Sequence, residues 1–273
     1  MGISLEFFPP KTQEGLETFE QVVAYCAEKV QPDFASLTFG AGGSSANLPL
    51  SLKAIACMAK QGLTVAAHLP HAGRTIQETK TILQEFITAG AKMVVALRGD
   101  LPNGQRFVPT ANRYEQTSHF VEDIRLTYPK MPIWVAGYPE KHPESPTIGK
   151  DRQNLKNKID AGATGILGQF CFNANQVCKR HEHWINGGIH AEFRPGIIVL
   201  ANPRRVFEMA EICHTKIPPN IQAAFTPTAA PLPQALAIMT QQINVLSNYG
   251  YNVHIYALNN MQVMKMLAEM RLG

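Results

Sequence analysis

Ile3-Ser4-Leu5-Glu6-Phe7-Phe8 is a short apolar run, and the stretch from Glu14 to Val30 leads on to a second one, Phe34-Ala35-Ser36-Leu37-Thr38-Phe39. Six residues of this kind are too few for a stable helix and read as strands, whereas the longer segment between them carries its apolar residues at helical spacing. The same alternation continues outward. Further strands are expected at Leu63 to Leu69, Met93 to Arg98, Ile133 to Tyr138, Thr164 to Phe170, Gly196 to Leu200 and Val253 to Leu258. Helical patterns lie between them at Ile76 to Ala89, Tyr114 to Tyr128, Arg152 to Ala161, Asn175 to Trp184 and Arg204 to His214. Eight near-continuous apolar strands covered by helices favour a closed parallel sheet over a doubly wound one, so the expected fold is α/β, a (β/α)8 TIM barrel. Pro233 to Asn248 reads as an extra helix before the last strand, and Met261 to Leu272 as the closing helix.

A barrel needs about 250 residues. The 273 residues here contain no Ser/Gly-rich linker, low-complexity tract or charge run, so residues 1–273 read as a single catalytic barrel domain. Hydrophobic residues are 45% and charged residues 17%, which supplies a core and excludes a disordered composition. The net charge of +4 is spread along the chain without a basic cluster, which argues against nucleic acid and against a polybasic membrane patch. The opening Met1-Gly2-Ile3-Ser4 lacks a basic segment followed by a long apolar one, and no run approaches the ~20 apolar residues of a membrane span, so a cytoplasmic protein is expected. The five cysteines, Cys26, Cys57, Cys171, Cys178 and Cys213, are odd in number and form no Cys-x-x-Cys pair, unlike a disulfide framework or zinc site.

Barrels of this kind work at the C-terminal ends of their strands. Those ends are polar here: Glu6, Thr38, His68, Arg98 with Asp100, Tyr138 with His142, and Gln169 come from six different strands. Any one of them can be a cap or a turn former; six together suggest a site. Glu6, set between Leu5 and Phe7-Phe8, has surroundings that should raise its pKa into a range useful for proton transfer, and it is the candidate general acid. The competing reading is a buried Glu paired with Arg or Lys for structure. In Arg98-Gly99-Asp100-Leu101-Pro102 the Gly allows close backbone approach to a flat ligand and the Asp presents an acceptor, although a tight turn explains the same residues. Gly40-Ala41-Gly42-Gly43-Ser44-Ser45 could form an anion nest or lid, but it lacks the Lys of a Walker loop. No G-x-G-x-x-G follows a strand, so a nucleotide would not be held in Rossmann fashion. His181 and His183, two apart on a helix, cannot share a face, so no metal site is expected there. Met261, Met264, Met266 and Met270 read as helix packing.

Five motifs stand in order: Leu5-Glu6-Phe7-Phe8-Pro9-Pro10-Lys11; Leu37-Thr38-Phe39-Gly40-Ala41-Gly42-Gly43; Ala96-Leu97-Arg98-Gly99-Asp100-Leu101-Pro102; Tyr138-Pro139-Glu140 with His142-Pro143-Glu144; and Leu155-Lys156 with Lys158 and Asp160-Ala161-Gly162-Ala163, leading to Gln169-Phe170. Together they resemble the methylenetetrahydrofolate reductase family, most strongly between residues 3 and 200. The resemblance implies a flavoprotein in which NADH or NADPH reduces FAD and leaves, and 5,10-methylenetetrahydrofolate then takes the hydride and becomes 5-methyltetrahydrofolate, feeding methionine synthesis. On this resemblance Glu6 protonates the ring nitrogen whose departure opens the imidazolidine to an iminium. Asp100 lies near both flavin and pterin, and Gln169 touches either substrate. Thr38, His68, Arg98, Gly99, Asp100, Tyr138, His142, Asp151, Asn154 and Lys158 match positions that hold FAD or line its site, with Thr38 also a candidate substrate contact. A homo-oligomer is implied in the same way.

Departures from the family pattern are informative. Arg113-Tyr114 stands where Tyr-Ala is usual, Asn157 where a basic residue precedes Lys158, Pro70 where Thr follows His68-Leu69, and Ser145 where Ala is usual. These fall on expected adenine and diphosphate contacts and weaken the expectation of tight FAD binding. Asn260 replaces an Arg after the last strand and Arg205 a Gln after the seventh, both expected near the folate tail. The alternatives are a flavin-independent reductase, with hydride passing directly from the nicotinamide and Glu6 keeping its role, and a pterin-binding methyltransferase or silent folate-binding barrel.

Overall fold

The structure is a computed structural model, and it describes residues 1–40, 47–100, 110–225 and 231–270. Eight parallel strands, β1 (Ile3–Phe7), β2 (Phe34–Leu37), β3 (Val65–Pro70), β4 (Met93–Leu97), β5 (Ile133–Gly137), β6 (Gly165–Phe170), β7 (Glu192–Ile198) and β8 (Val253–Tyr256), pair in chain order, and β8 closes onto β1. The outer layer holds α1 (Gln13–Tyr25), α2 (Leu48–Lys60), α3 (Ile76–Ala89), α4 (Thr117–Thr127), α5 (Ile148–Asp160), α6 (Ala174–Ile185), α7 (Pro203–Ile212), α8 (Pro219–Ala224), α9 (Pro231–Asn248) and α10 (Met261–Met270). The expected (β/α)8 barrel with an extra helix before the last strand is thus what the chain forms, the extra helix being α9. Among the described residues no helix is long and apolar enough to cross a membrane.

Short polar side chains fix the turns that lead from strand to helix. Thr12, Asn47, Thr75, Thr147, Asn173 and Asn202 each accept a hydrogen bond from a backbone N–H in the first turn of α1, α2, α3, α5, α6 and α7. A cap of this kind contributes about 1 kcal/mol, and here it also ends each loop on the working face at a defined residue.

The structure moves some expected boundaries. The seventh strand begins at Glu192, four residues before the expected Gly196, because its charges are internally satisfied: the buried Arg194 donates to Glu192 at 2.8 Å and to Asp33 at 2.7 Å. Pro195 lies opposite an irregular register between Leu167 and Phe170, where a missing N–H is tolerated. α4 starts at Thr117 rather than Tyr114, and α2 and the short α8 had not been anticipated. The helix expected over Glu14 to Val30 becomes a π-turn at Cys26–Val30, closed by Gln31 at φ 51°. Residues 41–45 of the glycine-rich loop, Leu101-Pro102 and the last residues of the expected closing helix lie outside the described residues.

Two apolar zones hold the barrel. The larger lies between sheet and helices; the smaller, Phe34, Ala66, Val95, Trp134 and Leu167, plugs the inside. Side chains alternate along a strand, so steps of two from the plug reach the C-terminal mouth: Ala66 to His68, Val95 to Leu97, Trp134 to Ala136 and Tyr138, Leu167 to Gln169. The alternation that fills the barrel therefore aims these polar residues into one cavity.

Candidate active site

That cavity has a volume of about 1360 Å³ and opens at the C-terminal mouth. Ligand pockets commonly measure about 300–1,000 Å³, so this one has room for a dinucleotide and a second ring system. All the candidates line it: Glu6, Thr38, His68, Arg98, Gly99, Asp100, Tyr138, His142, Asp151, Asn154, Lys158, Gln169 and Arg205.

Glu6 is buried on β1. Its Oε2 is 3.6 Å from Nε2 of His68 on β3 and 3.6 Å from Nε2 of His254 on β8. Burial raises the Glu6 pKa, opposed by His68. Burial also pulls His68 down to about 4, opposed by the Glu6 charge, and His254 down to about 3, helped by Arg194. Both imidazoles are therefore neutral around pH 7. Among the described residues no Arg or Lys pairs with Glu6, which removes the structural ion-pair reading. What remains is a carboxyl held toward its protonated form, able to donate.

His254 was missed by sequence reasoning. It is fully buried, its Nδ1 shares a 2.9 Å hydrogen bond with Ser4 Oγ, and its Nε2 is aimed at Glu6 without a hydrogen-bond partner among the described residues. The signal was available in the alternation Val253-His254-Ile255-Tyr256, which puts His254 and Tyr256 on the same inner face. Tyr256 lines the cavity and donates to Gly168 O at 3.1 Å.

The opposite wall is built by β4, β5 and α5. Arg98 makes a two-pronged pair with Glu144, one arm at 2.7 Å. The rings of Tyr138 and His142 meet edge-on at 4.6 Å, and burial raises the Tyr138 pKa. Asp151 Oδ1 accepts from the His142 N–H at 3.3 Å and from Ser145 Oγ at 3.1 Å. Lys158 donates to Ala136 O at 2.7 Å, and burial, opposed by Asp151, lowers it to about 8. A desolvated cation on the same wall as this edge-on aromatic pair suits the phosphate and ring of a nucleotide cofactor. Gln169 uses its Oε1 on the Phe170 N–H at 3.0 Å, next to the register irregularity. Gly99, at φ 83°, lines the cavity, and a Cβ there would lie 2.4 Å from Pro70 Cβ, so the protein itself also requires a glycine at this position.

Apart from Arg113, which is not part of the cavity lining, the departing residues divide in two. Pro70, Ser145 and Arg205 line the cavity. Tyr114 instead packs on Phe120 at 5.0 Å and hydrogen-bonds Asp123, while Asn157 accepts from Gln153 at 2.8 Å. Asn260 caps α10, accepting from Gln262 N at 2.9 Å. None of these three is part of the cavity lining. His181 bonds Tyr251 at 2.8 Å and His183 meets Arg152 at 3.4 Å, so the two histidines serve different partners.

Comparison with known proteins places this architecture. The chain is 29% identical to the 5,10-methylenetetrahydrofolate reductase of Salmonella typhimurium, over 96% of this chain and 88% of that one. It is 32% identical to the Escherichia coli protein of the same name, over 80% and 71%. It is also 32% identical to methylenetetrahydrofolate reductase (NADH) 1 of Arabidopsis thaliana, over 94% of this chain but only 46% of that one. Among solved structures, a Clostridium thermocellum protein described as binding two copies of 5-methyl-5,6,7,8-tetrahydrofolic acid superposes with a TM-score of 0.72 at 13% identity, covering 98% of this chain and 94% of that one, a likeness of fold. The family model described as methylenetetrahydrofolate reductase matches residues 1–271, and with the sequence motifs converging on one cavity this chain belongs to the methylenetetrahydrofolate reductase family.

Proposed function

We propose that this chain, acting as one catalytic unit, reduces 5,10-methylenetetrahydrofolate to 5-methyltetrahydrofolate with NADH or NADPH as reductant and FAD as relay, supplying methyl groups for methionine synthesis. The observation that carries the reading is Glu6: a buried carboxyl with a raised pKa, faced by two neutral imidazoles at 3.6 Å, lining a cavity wide enough for two ring systems. FAD fits the opposite wall, where Lys158 and Arg98 would meet its diphosphate, Asp151 and Asn154 its ribitol and ribose hydroxyls, and Tyr138 and His142 its rings. Bound there, FAD supplies a two-electron store that one substrate fills and the other empties.

The protein's own part is positioning and proton transfer. Glu6 delivers its proton to the imidazolidine nitrogen of the folate as the C–N bond breaks, leaving the iminium that accepts hydride. Neutral His68 and His254 allow Glu6 to be protonated before the step and to bear charge after it. Asp100 and Gln169, on neighbouring parts of the rim, hold pterin donors and acceptors, and Thr38 closes the β2 side.

The visible spectrum of the purified protein tests this. A flavin band that bleaches with anaerobic NADH or NADPH and returns with methylenetetrahydrofolate is the expected result. Oxidation of the nicotinamide only when folate is supplied, with no flavin bound or stimulating, would replace the relay by direct hydride transfer. No oxidation under any condition would sink the reductase reading.

A further inference from the structure

His254 is fully buried on β8 and is not part of the cavity lining, whereas Glu6, which it faces, is. Any effect it has on a bound molecule passes through Glu6. Its ring is held on three sides. Ser4, its register partner on β1, meets Nδ1 at 2.9 Å; the Phe34 ring stacks on it with centroids 6.3 Å apart, and the Tyr256 ring meets it edge-on at 5.3 Å. Only Nε2 is left, 3.6 Å from Glu6 Oε2 and without a hydrogen-bond partner among the described residues. A buried nitrogen in that state costs the fold stability, and an apolar ring at this position would avoid the cost.

The contact at Nδ1 decides what Nε2 offers. The Ser4 hydroxyl has one proton and two acceptors in reach, Nδ1 at 2.9 Å and Val253 O at 3.3 Å, and the shorter contact takes it. With Nδ1 accepting, the neutral imidazole carries its proton on Nε2 and aims an N–H at Glu6. His68 approaches the same oxygen, Oε2, also at 3.6 Å. Both imidazoles therefore face Oε2, and Oε1 is the oxygen left to carry the acid proton. A separation of 3.6 Å is longer than a hydrogen bond, so the N–H gains most once Oε2 takes on charge.

Resting on the reductase reading, we propose that His254, oriented by Ser4, is a positioning residue for Glu6: its Nε2–H keeps Oε2 as the acceptor, leaves the acid proton on Oε1, and closes on Oε2 as that proton passes to the folate nitrogen. The other titratable and charged groups around this pair are His68 on β3, Tyr256 on β8, Arg194 on β7 and Cys213 after α7, and the substitutions at Ser4 and His254 leave all four in place. The test follows reoxidation of the reduced, FAD-loaded protein by methylenetetrahydrofolate from acid to alkaline pH, alongside flavin reduction by the nicotinamide. A Gln side chain puts its amide where Nε2 stands and Asn where Nδ1 stands, so His254→Gln keeps a donor toward Glu6 and His254→Asn keeps only the Ser4 contact. In His254→Asn the folate step is expected to slow about ten- to a hundredfold, the worth of a hydrogen bond to a charged group, with its alkaline fall moved up by about one pH unit or more. His254→Gln should recover much of both effects, Ser4→Ala should fall between, and flavin reduction should be unchanged in all three. An alkaline fall that stays in place in His254→Asn, or equal behaviour of Asn and Gln, overturns the proposal and leaves His254 as packing. Equal slowing of both half-reactions overturns it in favour of a general structural role. Should the His254 variants fail to fold, Ser4→Ala alone decides, by whether its alkaline fall moves up. If Glu6→Gln itself leaves the folate step intact, the general-acid reading falls and this one with it; if Glu6→Gln is slow while the His254 variants match wild type, only this one falls.

Discussion

Burial raises the Glu6 pKa, so the folded protein binds that proton more tightly than the unfolded chain does. A raised carboxyl pKa contributes stability that is complete below the ordinary value near 4.5 and is lost as pH rises through the folded value. Glu6→Gln keeps the shape and removes the ionisation. The variant is expected to melt above wild type at pH 8, by about 2–4 °C for each kcal/mol recovered, with the gap closing near pH 4.5, while folate reduction falls about 10²- to 10⁴-fold and flavin reduction persists. Thermal melts at the two pH values with half-reaction kinetics check both halves. The histidines act with the opposite sign. Their pKa values, about 4 for His68 and about 3 for His254, lie below the ordinary 6.5, so their contribution is present above pH 6.5 and is lost as pH falls toward those values. Wild-type stability in urea should therefore drop between pH 6.5 and 4, and His254→Phe should flatten part of that drop; an unchanged slope would mean that His254 is not neutral in the fold.

Elements carry these residues into place, and α5 shows how. Its Thr147 cap fixes where the helix starts, which sets Asp151 one turn in and Lys158 near its end, both lining the cavity. Because burial lowers Lys158 to about 8, its charge is costly to bury, and an anionic ligand would offset that cost. FAD affinity is expected to weaken as pH rises through about 8, and Lys158→Met should raise the FAD Kd at least tenfold while leaving the melting temperature of the protein without FAD unchanged or higher. A flavin titration across pH 7 to 9 reads this directly. At the β4 end, Gly99→Ala meets both a left-handed φ and Pro70, so a destabilisation of about 1–3 kcal/mol is expected, seen as a lower urea midpoint. The strands were legible because they are apolar runs with polar last residues, and Glu6, Thr38, His68, Gln169 and the Arg98-Gly99-Asp100 turn could be found as those last residues. His254 and Ser4 were not, since they lie one step deeper, where a polar residue in an apolar strand looks like noise until the barrel closes on it. The start of β7 was hidden by charges that pair only in three dimensions, and part of the reason for Gly99 by a proline that approaches from the adjacent strand.

The two ends of the barrel answer to different demands, and that separation can be measured. Below the plug, Arg194 lies buried with its guanidinium 4.9 Å from the Phe34 ring centroid and 5.6 Å from that of Trp134, paired with Asp33 and Glu192, and it lines no part of the cavity. Above the plug, Glu6 is unfavourable to the fold at neutral pH and needed for the proposed reaction. Barrels generally keep stability at the N-terminal face and chemistry at the C-terminal face. Arg194→Met should accordingly lower the melting temperature while leaving KM for nicotinamide and folate within about twofold, because the side chain removed anchors only the lower mouth. Asp33 and Glu192, each roughly half exposed, remain solvated after the change, which limits the loss to about 1–3 kcal/mol. Combined with Glu6→Gln, the effects should nearly add, since Arg194 and Glu6 share no ion-pair partner and meet only through His254, which the Arg194 charge holds low and which faces Glu6 at 3.6 Å. A double variant that departs from additivity by more than about 0.5 kcal/mol would mean that the plug transmits strain from one mouth to the other, and that His254, beside Arg194 and facing Glu6, is the route.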